Sequence, residues 1–114
     1  HNYRKAYIHD AAQWLAENTA DGASLLTNDR YIAYFSNKQL EWTRGKPVQF
    51  QFDVDTLARQ PDLWRGVDYL AVSVPRRQVE QWQTFVRARG LTEIAVFDGG
   101  RMGLVAVVKL SQNS

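Results

Sequence analysis

The stretch from Leu25 to Asn37, LLTNDRYIAYFSN, decides how the chain is read. An apolar run that begins at Ala23 meets Thr27, Asn28 and Asp29, and an amphipathic segment follows. That is how a strand hands over to a helix in an α/β protein. Ala23–Thr27 reads as a short buried strand, and Asp29–Asn37 as a helix of about two turns. Thr27, Asn28 or Asp29 can serve as its N-cap, with a side-chain oxygen accepting a hydrogen bond from an otherwise unpaired backbone N–H. Strand ends of this kind are also where open α/β sheets take ligands, so the same residues form the first candidate site.

Outward from this stretch the periodicity alternates between helix and strand. Upstream, Tyr7, Ala11, Trp14 and Leu15 share one helical face, with Arg4, Lys5, Asp10, Gln13 and Glu17 on the other. Asn18 and Gly22 end that helix. Downstream, Gln39–Trp42 reads as a second short strand and TRGKP as a turn. Val48, Phe50, Phe52 and Val54 then alternate with Gln49, Gln51, Asp53 and Asp55, the period of a strand with one wet face. TLARQPDLWRG gives one or two short helical turns ending near Gly66. Val67–Val74 is apolar on both faces, as a central parallel strand should be. The next helix has Pro75 in its first turn, Gly90 as C-cap, and Val79, Trp82, Phe85 and Val86 on its inner face. LTEIAVFD and MGLVAVVKL are strands joined through Gly99-Gly100, a two-residue type I′ hairpin signal. The expected fold is a single α/β domain over residues 1–114, a three-layer Rossmann-like sandwich. Its sheet is expected to be mostly parallel, with a C-terminal antiparallel hairpin.

Composition narrows the function. A chain of 114 residues is long enough for one core. Net charge is +2, without a block of five like charges, which speaks against a dedicated nucleic-acid-binding domain. The absence of cysteine removes disulfides, thiolate metal sites and a Cys nucleophile. No apolar run reaches the ~18 residues that cross a bilayer. The chain opens on HNYRKAY rather than Met, which leads us to expect a piece of a longer protein.

The motifs for common chemistries are missing. The first strand is not followed by G-x-G-x-x-G or by a Walker A lysine loop, so a dinucleotide cofactor is not expected. His1 and His9 are the only histidines, and neither has a second His at ligand spacing, so no metal is expected. Asp53 and Asp55 would share the wet face of a strand, where a carboxylate pair is solvated rather than catalytic. Ser24 and Ser73 lie outside any G-x-S-x-G elbow. No catalytic residue is assigned. What remains is electrostatic. Arg76 and Arg77 start a helix, where the macrodipole disfavours cations. In a parallel sheet they share an edge with Thr27–Arg30. Thr27, Asn28, Asp29, Arg30, Arg76 and Arg77 are therefore the candidate rim for a small anion: a phosphate, a carboxylate or an anionic lipid headgroup. Trp42 with Arg44 and Lys46 is a candidate membrane-interface loop.

The string AAQWLAENTADGASLLTNDRYIAYFSN resembles the segment after the last transmembrane helix in polytopic membrane glycosyltransferases. These are the multi-spanning enzymes that use polyprenyl-phosphate sugars, together with their uncharacterised relatives. The resemblance rests on Trp14-Leu15-Ala16-Glu17-Asn18, then Asp21-Gly22, Leu25-Leu26, Thr27-Asn28-Asp29 and the aromatic Ile32-Ala33-Tyr34-Phe35-Ser36. It covers the first third of the chain, and the rest only in architecture. It implies an extracytoplasmic domain, periplasmic or extracellular, at the C-terminal end of a membrane protein. Its partners would be the transmembrane portion of the same polypeptide and anionic lipid or polyprenyl-phosphate headgroups. The family's catalytic carboxylates lie between its membrane helices, so none is carried over to this chain.

Overall fold

The computed structural model describes residues 5–40 and 52–110. Their order is α1 (Ala6–Asn18), β1 (Ser24–Thr27), α2 (Arg30–Phe35), β2 (Gln39–Leu40), α3 (Val54–Arg59), β3 (Tyr69–Pro75), α4 (Val79–Arg89), β4 (Thr92–Asp98) and β5 (Gly103–Lys109). Short 3₁₀ turns follow α3, β3 and β4. The five strands form one sheet in the order β2-β1-β3-β5-β4.

The chain is α/β, but its sheet is mixed. β1 pairs in parallel with β2 and β3. β3 and β4 both pair antiparallel with β5 along nearly their whole length. Four strands therefore point one way, and β5 runs against them from between β3 and β4. The parallel pairings are short and the antiparallel ones long, which corrects the expected mostly parallel, Rossmann-like sheet. The second strand of the hairpin is inserted between β3 and β4, and it is the first, β4, that forms the edge. The reason lies in side-chain polarity. Leu104–Val108 is buried throughout, whereas β4 carries Thr92, Glu93 and Asp98 and is mostly exposed. The strand with a continuous apolar run takes the position covered on both faces.

Side chains alternate across the sheet into two clusters. Leu25, Ala71, Val105 and Val107 face α1 and α2, packing on Tyr7, Ile8, Ala11, Leu15 and Ile32. Leu26, Leu70, Val72, Val74, Leu104, Ala106 and Val108 face the other way, onto Val54 and Leu57 of α3 and Trp82 and Phe85 of α4. Trp82 is buried, and its indole N–H donates to Glu93 at 2.7 Å. Trp14 is half-buried and meets Phe97 edge-on.

Two further expectations change. Asp53 and Asp55 do not share a strand face. Asp53 is the N-cap of α3 in a reciprocal capping box with Thr56, and Asp55 sits in the first helical turn. The D-V-D-T spacing closes a helix end, which overrides the alternation at Phe52 and Val54. The rest of that expected strand, the TRGKP turn and the Trp42 loop lie outside the described residues. Gly99-Gly100 is not a two-residue turn either. Gly99 has φ −110°, and only Gly100 of the pair is left-handed, at φ 62°. The connection runs through a 3₁₀ turn over Gly100–Met102, closed by a 2.7 Å bond from the Gly99 N–H to the Gly103 carbonyl. Gly90, with φ 63°, ends α4 as expected.

The backbone N–H of Thr56 holds the Asp53 carboxyl below its ordinary value of 3.8. A depressed folded-state value stabilises the fold above the unfolded pKa, and that contribution is lost as pH falls through the folded value. We expect Asp53→Ala to cost about 1 kcal/mol in urea unfolding at pH 7. The difference from the parent should shrink below roughly pH 4.

Candidate functional site

Because β1 and β3 are parallel neighbours, their C-terminal ends meet on one edge. The starts of α2 and α3 and the 3₁₀ turn leading into α4 gather at the same edge. Pro75 is the last residue of β3 and Arg76–Arg77 lie in that 3₁₀ turn, so neither Pro75 in the first turn nor the arginines at the helix start holds: α4 begins only at Val79. Most of the polar groups there are already committed to bonds within the fold.

Thr27 is buried, and its hydroxyl accepts the Asp29 N–H at 3.2 Å. Asp29 is the N-cap of α2, its carboxylate accepting the Ile32 N–H at 3.0 Å. Asn28 does most of the joining. Its Oδ1 accepts the Ser73 N–H at 2.8 Å, and its Nδ2 donates to the Ser73 carbonyl at 3.0 Å and to the Phe52 carbonyl at 3.2 Å. One amide side chain thus continues the β1–β3 ladder beyond the last backbone pair. It also pins the residue that leads into α3.

Arg76 reaches across β5 to the turn that follows β4. Its guanidinium donates to the Gly100 carbonyl at 2.8 Å, the Gly103 carbonyl at 3.1 Å and the Asp98 carboxylate at 2.7 Å. That hydrogen bond, together with the Gly100 N–H, holds the Asp98 carboxyl below its ordinary value. Gly103 fits beneath this brace because a Cβ there would lie 2.0 Å from the Val74 carbonyl oxygen. Arg77 is exposed and has no hydrogen bond or ion pair among the described residues. Arg30 is exposed at the start of α2. Acidic groups stand among these cations: Asp29, Asp53, Asp55 and Asp98 share the edge, so its charge is mixed.

Beside this edge, between the first turn of α1 and the β4–β5 turn, lies an open cleft of about 680 Å³. Tyr7, Asp10, Asp98, Gly99, Arg101 and Met102 contribute to its walls. Burial of the Tyr7 ring, aided by the Asp29 carboxylate and opposed by Arg76, raises its phenol above the ordinary value. It is therefore a neutral hydrogen-bonding group at physiological pH. None of these residues belongs to the Thr27–Arg77 set. The order of elements gave no signal for this cleft, since it depends on the inserted β5 bringing the turn against α1.

One more residue escaped sequence reasoning. Lys38 has no exposed side-chain surface. Its ammonium donates to the Thr19 and Ala20 carbonyls, both at 2.9 Å, capping the C-terminal end of α1. His9 lies on the surface of α1 as expected, stacked on Tyr31 at 4.1 Å. Among the described residues no group of three or more His, Cys, Asp or Glu side chains is arranged to hold a metal. Comparison with known proteins finds no matching family model, curated protein or solved structure.

If Asn28 is a clasp, its replacement should cost stability rather than binding. Asn28→Ala leaves the Ser73 amide and two carbonyls without partners, and we expect a loss of about 2–4 kcal/mol in denaturant unfolding. Asn28→Asp keeps the acceptor but puts carboxylate oxygen against two carbonyls, and should be no better.

Proposed function

We propose that the chain is a non-catalytic, extracytoplasmic domain of a multi-spanning membrane protein, glycosyltransferase-like. It packs on the membrane portion of the same polypeptide or regulates access to it. What supports this reading is the resemblance of the Ala11–Asn37 string to that family's segment. Each of its parts has a defined place: Trp14–Asn18 ends α1, Asp21-Gly22 turns the chain, Leu25-Leu26 fills both faces of β1, Thr27–Asp29 closes the strand and caps α2, and Ile32–Ala33 buries the inner side of α2. The commitment of Thr27, Asn28, Asp29 and Arg76 to bonds within the fold supports a scaffold role over a catalytic one. Contact with anionic lipid or polyprenyl-phosphate headgroups falls first to Arg77, whose charge is not spent internally.

Among the described residues no helix is long and apolar enough to cross a membrane, so the spanning segments of this reading belong to the parent sequence. Two measurements test it together. The parent reading frame should encode several apolar segments of about 20 residues upstream of α1. Sugar transfer from a polyprenyl-phosphate donor should occur in membranes carrying the parent and be absent with the isolated chain. Turnover by the isolated chain, or a parent without spanning segments, contradicts the reading.

A further inference from the structure

The cleft between α1 and the β4–β5 turn holds two opposite charges that the fold does not use. Asp10 and Arg101 both line it and both are exposed. Neither has a hydrogen bond or ion pair among the described residues, and they do not pair with each other. The other acid in the wall, Asp98, is balanced by Arg76 at 2.7 Å. Among the described residues, the unspent charge of the cleft is therefore one carboxylate on the α1 side and one guanidinium on the turn side.

The turn that carries Arg101 is rigidly held. Three bonds from Arg76 fix it to the end of β3. Beneath it the Tyr7 ring leaves no room even for a Cβ on Gly99, which would lie 2.5 Å from the ring. Two residues suffice to close an antiparallel pair. This longer turn instead places Arg101 and the exposed Met102 at the cleft wall. A backbone turn held in place before binding loses less entropy when a ligand seats on it. The cleft volume of about 680 Å³ falls within the roughly 300–1,000 Å³ of small-molecule sites.

We propose that this cleft binds a small zwitterion, with its carboxylate on Arg101 and its ammonium group on Asp10. The guanidinium fork accepts a carboxylate through two parallel hydrogen bonds. A simple anion gains Arg101 but is set against Asp10. A simple cation gains Asp10 but is set against Arg101. A ligand with both charges is favoured at both ends, and the Tyr7 ring and Met102 give its hydrocarbon part an apolar wall. The inference concerns this chain's own cleft and is independent of the membrane reading.

The test is an NMR titration of the ¹⁵N-labelled chain with dialanine, N-acetyl-dialanine, dialanine amide and inorganic phosphate. Dialanine is expected to shift the amides of Tyr7–Asp10 and Asp98–Gly103 saturably, at concentrations on the order of 10 mM or below. Either blocked peptide, and either Arg101→Ala or Asp10→Asn, should weaken binding by about tenfold or more. Both substituted side chains are exposed, and well-dispersed variant spectra show that the fold is kept. No saturable shift with dialanine, equal binding of the blocked peptides, or phosphate binding as tightly as dialanine overturns the proposal.

Discussion

The fold depends on where β5 goes. A seven-residue strand that is buried from Gly103 to Val108 needs cover on both faces and a partner on both edges. It finds them between β3 and β4. Once there, it reverses the local direction of the sheet and splits the β3–α4–β4 crossover. It also gives the two apolar clusters their shared wall: Val105 and Val107 on one side, Leu104, Ala106 and Val108 on the other. The same insertion brings the β4–β5 turn beside the first turn of α1. The cleft at Tyr7 and Asp10 is thus a consequence of strand order.

The second constraint is at the far end of the sheet's parallel half. β1 is only four residues long and its backbone ladder to β3 is short. Asn28 lengthens that ladder with a side chain, donating and accepting on Ser73 as a backbone residue would. Its remaining donor fixes Phe52 and hence the entry to α3. Asp29 next to it caps α2, and Thr27 steadies the Asp29 amide. Three consecutive polar residues thus serve three different junctions. An exposed polar strand end in an α/β protein invites a ligand reading, but here the nearest demand on those groups is the backbone itself.

Much of this was legible in the residues, and what was not has identifiable causes. The faces of α1 and α4, the buried run of β3, the Gly90 C-cap and the position of α2 follow from periodicity and capping chemistry. A hairpin signal shows that β4 and β5 are neighbours, but not which of them joins β3. The information was nevertheless present: LVAVV is apolar without interruption, while TEIAVFD carries three polar residues. Alternation at Val48–Asp55 suggested a strand, but Asp53 and Thr56 at capping-box spacing decide that its end is helical. The clasp by Asn28, the Arg76 brace and the buried cap by Lys38 join residues 18 to 45 positions apart, and local pattern carries no signal for them. Of the candidate rim, Thr27–Asp29 and Arg76 do lie at the C-terminal ends of β1 and β3, while their commitment to internal bonds was invisible. Asp10 and Arg101 had no motif to mark them.

The central claim is that the polar residues closing β1 hold the fold together. Native-state hydrogen exchange at the Ser73 amide tests this most directly, because that N–H is held by a side chain, Asn28 Oδ1, and by no strand. The account predicts exchange only through global unfolding, as slow as the amides of β5. Exchange at the rate of an open loop, with β5 still protected, would contradict it.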